Sequence, residues 1–440
     1  RDGVRGDGFP GLGLPLPELE QLDAALIVGA YPRHEQPLLN HRLRKAALRG
    51  GDVMALNPCG FDWNIELTHE QVVSAAAMPR RLAAIARAVA GHQGVSEPQG
   101  LSDWLGDTPA DTASQAIAAT LCADGKAAVL LGGLADAHPA GAELRYLAAQ
   151  IARMAGANYG ELTEGANTAG GWLSGALPQR GPDGATRPGL DAKAMLEAPR
   201  PGYLLMGIEP EHDLNDAALA ADALGQAEQV IGLVAYDSPM LREHADILLP
   251  IGTLGETAGT LVNAEGRWQS FAGVAQPQGD ARPAWRLLRV LANVLELDGY
   301  EYQAVDEIHA EMQAVASQYT SAAPDVVVSP QPGEAADMLR VGYPAMFNID
   351  PLSRHAPSLQ ATDHAADAEV VINPDDAARL GVEAGATVQV NQRGVARSLP
   401  VRISEAMPVG TFWVAAGLEG TQGLGSLIGP ATLEPVEARA

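Results

Sequence analysis

Three short apolar runs end at glycines that each precede a histidine by five residues: Gly29 and His34, Gly133 and His138, Gly207 and His212. The runs cover Ala24 to Gly29, Ala127 to Leu131 and Tyr203 to Met206. Helical spacing follows each, at Pro37 to Leu48, near Ala140 to Met154 and near Asn215 to Leu224, and two more apolar runs lie at Val53 to Leu56 and Val230 to Val234. Strands that are apolar throughout, rather than alternating, belong to sheets covered on both faces. Repetition of this βαβ plan predicts an α/β fold built on doubly wound, mostly parallel sheets, in two lobes. Glycine at the carboxyl end of such a strand permits a tight turn, and ligands of open α/β sheets bind at that end. The histidines then fall near helix starts, where a neutral imidazole contacts a ligand or merely accepts a backbone N–H; the spacing leaves both readings open.

The stretch Ala245 to Phe271 (ADILLPIGTLGETAGTLVNAEGRWQSF) is the second constraint. A strand at Asp246 to Pro250 leads into a polar run holding Thr253, Glu256, Thr257, Thr260, Asn263, Glu265, Arg267 and Gln269 among four glycines. Glycines let successive amides converge on one point, which suits a ligand rich in acceptors, while the same composition also makes an ordinary loop. Gly165 to Gly181 is a second glycine-dense loop, and Pro182 to Pro201 reads as irregular chain; either could wall a pocket.

Four regions follow from these patterns. Residues 1–20 are a Gly/Pro-rich linker or irregular segment, beginning at Arg1 and expected to continue a longer polypeptide. Residues 21–280 form the α/β region, 281–340 helices and a linker rich in Pro and Ser at Ser321 to Gly333, and 341–440 a small β-barrel with strands at Thr387 to Val390, Leu399 to Ile403 and Thr411 to Val414. Thr68 and Gln71 make a capping-box pattern ahead of a helix restarted by Pro79, with Leu82, Ile85 and Val89 on one face. His92 to Asp111 reads as loop anchored by Trp104. From Pro283, Leu287, Val290, Leu291 and Val294 form one helical stripe. Asn373, Pro374 and Gly381 bracket a short helix whose first turn holds Asp375 and Asp376, which accounts for that acidic pair without a metal.

The formal charge of −25 argues against nucleic acid as a partner. No apolar run approaches the roughly 20 residues of a membrane span. Two cysteines, Cys59 and Cys122, are too few for an all-cysteine cluster and fit a reducing compartment. Cys59 reads either as a ligating thiolate or as a small buried hydrophobe. Glu209 and Glu211 read as a solvated turn. None of the three glycine–histidine turns carries G-x-G-x-x-G, and the Walker motif, G-x-S-x-G and H-E-x-x-H are absent from the chain, so no catalytic and no metal-ligating residue is assigned.

The order of parts, with an INP-x-DA-x-x-L-G-like segment at Ile372 to Gly381, resembles the molybdopterin oxidoreductases. Within them, Leu248 to Val274, Gly165 to Gly181 and the IEPEHD of Ile208 to Asp213 resemble the large iron–sulfur (G) subunit of NADH:quinone oxidoreductase, respiratory complex I. The resemblance covers nearly all 440 residues. It implies that [2Fe–2S] and [4Fe–4S] clusters belong to a part of such a chain upstream of Arg1, with no cofactor in this segment, and that residues 341–440 are similar to molybdopterin-dinucleotide-binding domains. It also implies other peripheral-arm subunits as partners, without direct membrane insertion, on the cytoplasmic face of a bacterial inner membrane. Gly29, His34, Gly133, His138, Gly207, His212, Thr253, Glu256, Thr257, Asn263, Glu265, Arg267 and Gln269 become the expected remains of a pterin pocket, kept for internal hydrogen bonding. The alternatives are a catalytic, formate-dehydrogenase-like fragment holding molybdopterin dinucleotide, and a small-molecule binding protein of the same fold.

Overall fold

The computed structural model describes residues 8–181, 185, 187–316, 319, 328 and 336–436. Its first sheet is fully parallel, in the order β3-β2-β1-β4-β5: β1 Ala24–Val28, β2 Asp52–Asn57, β3 His69–Val72, β4 Ala127–Leu131 and β5 Asn158–Glu161. Every residue of β1 and β4 is buried. Alternate β1 residues feed separate cores, Leu26 and Val28 toward the helices Met78–Gln93 and Gly141–Ala155, Ala25 and Ile27 toward Leu39 and Leu43 of Pro37–Leu48. This is the two-sided burial that the continuous apolar runs require. Helix Met78–Gln93 carries Pro79 in its first turn, buries Leu82, Ile85 and Val89, and stops at Gly94 with φ +64°.

Several local expectations change. Thr68 and Gln71 do not cap a helix: His69–Val72 pairs with β2 as an edge strand, and sheet pairing overrides the capping-box pattern. His92 to Asp111 contains a helix, Leu101–Leu105, whose Trp104 stacks on Tyr146. The glycine-dense loop holds helix Thr168–Leu173, and Ala192–Glu197 is helical behind an Asp191 cap. Residues 8–22 are irregular as far as Pro15 but well packed, with Phe9, Leu12, Leu14 and Leu19 buried. In helix Ala284–Val294 the stripe is only partly covered, since Val290 and Val294 are exposed. Almost all of the Ser321 to Gly333 linker lies outside the described residues.

The second lobe is a three-stranded parallel sheet, β6 Gly202–Met206, β7 Gln229–Val234 and β8 Ile247–Pro250, in that order. Both crossovers run in the same direction, so right-handed connections place helices Ala217–Gly225 and Pro239–His244 on one face. The other face presents Leu204, Met206, Ile247 and Leu249, between 38% and 49% exposed. The polar run beyond β8 is a hairpin rather than a loop: β9 Gly259–Val262 pairs antiparallel with β10 Trp268–Phe271.

The last region forms a seven-stranded mixed sheet, in the order β16-β11-β15-β12-β14-β13-β17. Its strands are β11 Leu339–Val341, β12 Val370–Ile372, β13 Thr387–Gln392, β14 Val395–Ile403, β15 Thr411–Trp413, β16 Ile428–Pro430 and β17 Thr432–Pro435. β16 and β17 occupy opposite ends of the sheet, yet only Ala431 separates them in the chain. The sheet must therefore curl until its ends approach, as a barrel requires. Inside the curl Arg340, 1% exposed, donates to Gln392 Oε1 at 3.0 Å and Val414 O at 3.3 Å. With no carboxylate beside it among the described residues, burial pushes its pKa down to about 10. Asn373 accepts from Asp375 N, Pro374 opens the helix and Gly381 ends it at φ +69°, as the sequence predicts. Asp376 adds a role of its own, accepting from Arg379 at 2.9 Å and from Gly410 N at 2.7 Å.

A charged latch joins the second lobe to this region. Glu209, 3% exposed, bonds Arg354; the same guanidinium reaches Asp213 at 2.5 Å, and His355 Nε2 lies 2.5 Å from Glu209. Glu209 is thus a buried anchor and not the solvated turn expected of it. Burial raises its pKa, but the bonds from His355 and Arg354 outweigh that and hold the carboxyl below its ordinary range.

Candidate ligand pocket

A pocket of about 1220 Å³ opens where the carboxyl end of the first sheet meets the β9–β10 hairpin and the C-terminal region. Its floor comes from the β1 and β2 turns. Gly29, at φ +60°, lies against the backbone of Ala135, so a side chain there would collide. Asn57, fully buried at the end of β2, clamps the β1 turn by accepting from Ala30 N (2.9 Å) and donating to Ala30 O (3.1 Å). The turn then carries Tyr31, which stacks on Phe61 with 4.4 Å between ring centroids, and Phe61 meets Trp413 edge-on at 6.3 Å.

At the base, Glu35 accepts from Tyr31 N at 2.7 Å and from the Gly133 N–H. Burial, with Glu164 nearby, pushes its carboxyl up to about 7 despite those two bonds. Tyr343 reaches over from the C-terminal region and bonds Glu164; burial and the two carboxylates drive its phenol well above the usual range. A Cβ on Gly133 would overlap the Tyr343 hydroxyl, so this glycine is required by close approach alone; Gly207 is required by its positive φ, and Gly29 by both. Cys59 lines the same floor; burial and Glu35 raise its thiol pKa, keeping it protonated, and it packs with Val371 and Met407 as a small hydrophobe. Behind Gly133 a second cavity of about 300 Å³ holds the buried Arg145 bonded to Asp136 and, at 3.4 Å, to Glu161.

The three glycine–histidine turns do not converge. His34 lines the pocket, tilted on Tyr31 at 4.5 Å, and burial followed by Arg33 lowers its pKa. His138 is locked elsewhere: Nε2 donates to Ala75 O at 2.8 Å and Nδ1 accepts from Ala140 N at 2.9 Å. His212 sits in the second lobe, its Nδ1 3.3 Å from Gly417 O, and Gly207 stands with it. From the polar run, Asn263, Glu265 and Gln269 line the pocket. Asn263 Oδ1 accepts from Glu265 N and Arg267 N and so shapes the hairpin turn. Thr253 and Glu256 instead form a capping box, and Thr257 donates to Ala258 O. The Arg267 side chain is 69% exposed, with Glu265 3.9 Å away, so it takes little part in the internal bonding expected of it.

Six carboxylates line the pocket, those of Glu35, Glu164, Glu265, Asp363, Asp367 and Glu369. Arg402 is the one Lys or Arg among the described lining residues, and Glu369 already pairs with it at 2.6 Å. Glu35, Glu164 and Tyr343 carry no motif. Only Glu35, in the turn beside His34, had a position that pointed to the pocket.

Residues 11–294 match the family profile of molybdopterin oxidoreductases, and residues 352–438 that of the molybdopterin dinucleotide binding domain. The chain is 27% identical to the G subunit of NADH-quinone oxidoreductase from Streptomyces coelicolor, over 96% of this chain and 52% of that protein. It is 26% identical to the G subunit of the same enzyme from Mycobacterium bovis, over 92% of this chain and 50% of the other. It therefore spans about half the length of these curated relatives. Among solved structures, acetylene hydratase from Pelobacter acetylenicus superposes with a TM-score of 0.63 at 14% identity, over 96% of this chain and 80% of that one, a likeness of fold.

Proposed function

The chain belongs to the molybdopterin oxidoreductase family, and from that premise we propose that it is a cofactor-free structural and assembly part of the large iron–sulfur (G) subunit of an NADH:quinone oxidoreductase. The observation that carries this reading is the charge of the pocket. A pterin dinucleotide brings a pyrophosphate, and sites for such groups offer helix N-termini, amide nests or guanidinium forks. Here the lining offers six carboxylates and one guanidinium that is already paired. The pocket does not fit an anionic cofactor, and we assign it no redox step. On this reading the iron–sulfur clusters that carry electrons toward quinone lie outside these residues, and the chain works on the cytoplasmic face of a bacterial inner membrane among other peripheral-arm subunits.

The assembly role rests on the second lobe. A parallel sheet is normally covered on both faces, and on the face bearing Leu204, Met206, Ile247 and Leu249 these four side chains remain 38–49% exposed. Cover from the rest of the complex would bury it. Ile247→Asp tests this: it should leave melting of the isolated chain nearly unchanged while lowering the amount of assembled complex on native gels, with turnover per assembled complex preserved. Normal assembly combined with reduced turnover would overturn the reading.

A further inference from the structure

We propose that the large pocket is a receptor site for an amphipathic organic cation, a molecule with an apolar or aromatic body and an ammonium-type head. The inference rests on the cofactor-free reading above. At about 1220 Å³ the pocket exceeds the usual range of small-molecule sites, roughly 300–1,000 Å³, so it has room for a body of several rings or a long chain. Its walls supply apolar contact through Tyr31, Phe61, Leu261, Ile349 and Trp413. Its charge supplies the selectivity.

Glu35 at the base is held by the two backbone amides of Tyr31 and Gly133, neutral donors that bring no opposite charge, so that its carboxyl, raised to about 7 by burial, adds a negative charge above that pH. Glu265 is held by Leu16 N at 2.6 Å and Asn263 Nδ2 at 3.0 Å, and its nearest cation, the exposed Arg267, stays at 3.9 Å. Asp363 and Asp367 line the pocket as well, are exposed, and form no ion pair with the described residues. An anion entering this pocket meets repulsion from base to mouth. A cation gains from the same field, which low-dielectric walls concentrate.

The probes are rhodamine 6G, a multi-ring monocation, and fluorescein, a multi-ring anion, each titrated with the 440-residue chain at 0.15 M salt and followed by fluorescence anisotropy. Saturable one-to-one binding of rhodamine 6G is expected, with at least tenfold weaker binding of fluorescein. The triple variant Glu35→Gln, Asp363→Asn, Asp367→Asn should weaken rhodamine 6G at least tenfold, while the surface control Glu228→Gln should bind as the unaltered chain does. Equal binding of both dyes, no saturation with rhodamine 6G, or undiminished affinity in a folded triple variant would overturn the inference. The two-dye comparison needs no variant, so a triple variant that fails to fold leaves the test intact. A stoichiometric pterin in the purified protein would sink the cofactor-free reading itself. Pterin-free protein that ignores rhodamine 6G would sink this inference alone.

Discussion

Replacing Glu35 by Gln should change the pH dependence of stability more than its value near pH 5. Glutamine keeps an oxygen for the amides of Tyr31 and Gly133 but has no proton to lose. In the native chain the Glu35 carboxyl is pushed up from 4.5 to about 7, chiefly by burial. Between those values the native state holds a proton that the unfolded chain has released, so stability falls as pH rises. The contribution is fully present below about pH 4.5 and lost once the pH passes about 7. The span amounts to about 3 kcal/mol, an upper figure because the residue keeps some contact with solvent. Urea unfolding followed by tryptophan fluorescence at pH 5, 6.5 and 8 should therefore show Glu35→Gln close to the unaltered chain at pH 5 and more stable by up to about 3 kcal/mol at pH 8. Parallel pH profiles for the two proteins would refute the placement of an uncompensated carboxyl at the base of the pocket.

Other outcomes follow from the same contacts. Arg354→Ala strands Glu209 and Asp213, removing the cation from a buried cluster, and should cost about 3–5 kcal/mol in denaturant unfolding; a loss under 1 kcal/mol would mean the latch is solvated. Gly133→Ala drives a methyl into the Tyr343 hydroxyl and should cost about 1–3 kcal/mol, with much of the loss recovered in the double variant with Tyr343→Ala; additive losses would show that the two residues do not meet. Asn263→Ala, which removes the acceptor shaping the β9–β10 turn, should lower stability by about 1–2 kcal/mol, whereas Arg267→Ala should stay within about 0.5 kcal/mol; thermal melts of the pair decide this.

The two-sided parallel strands were legible because their burial writes itself into consecutive residues: β4 matches the predicted run Ala127 to Leu131, and helix Pro37–Leu48 matches its periodicity. The Asn373 to Gly381 helix was legible because its caps are local. Misreadings came where a distant partner decides the conformation. His69–Val72 carries a helix-start pattern yet is pulled into the sheet by β2. The hairpin at 259–271 hides its alternation behind Gly and Thr, and Asn263 with Gly266, at φ +77°, makes its turn. Glu209 looked solvated because Arg354 stands 145 positions away.

The pocket was the least legible part. Its base depends on Glu35, Glu164 and Tyr343, which lie on three separate segments and share no spacing rule. The repeated glycine–histidine offset suggested three equivalent sites, but only His34 of the three histidines faces the pocket, since His138 is consumed by Ala75 and Ala140 and His212 lies in the other lobe. Local composition reports that a turn exists. Which turns meet is set by the packing of the lobes.

The central claim, a molybdopterin oxidoreductase fold whose pocket has the wrong charge for its family's cofactor, is tested most directly by elemental and pterin analysis of the protein purified from its natural source. Molybdenum and tungsten by mass spectrometry, and oxidised pterin by fluorescence after denaturation, should each fall below about one-tenth of an equivalent per chain. One equivalent of pterin dinucleotide would contradict it.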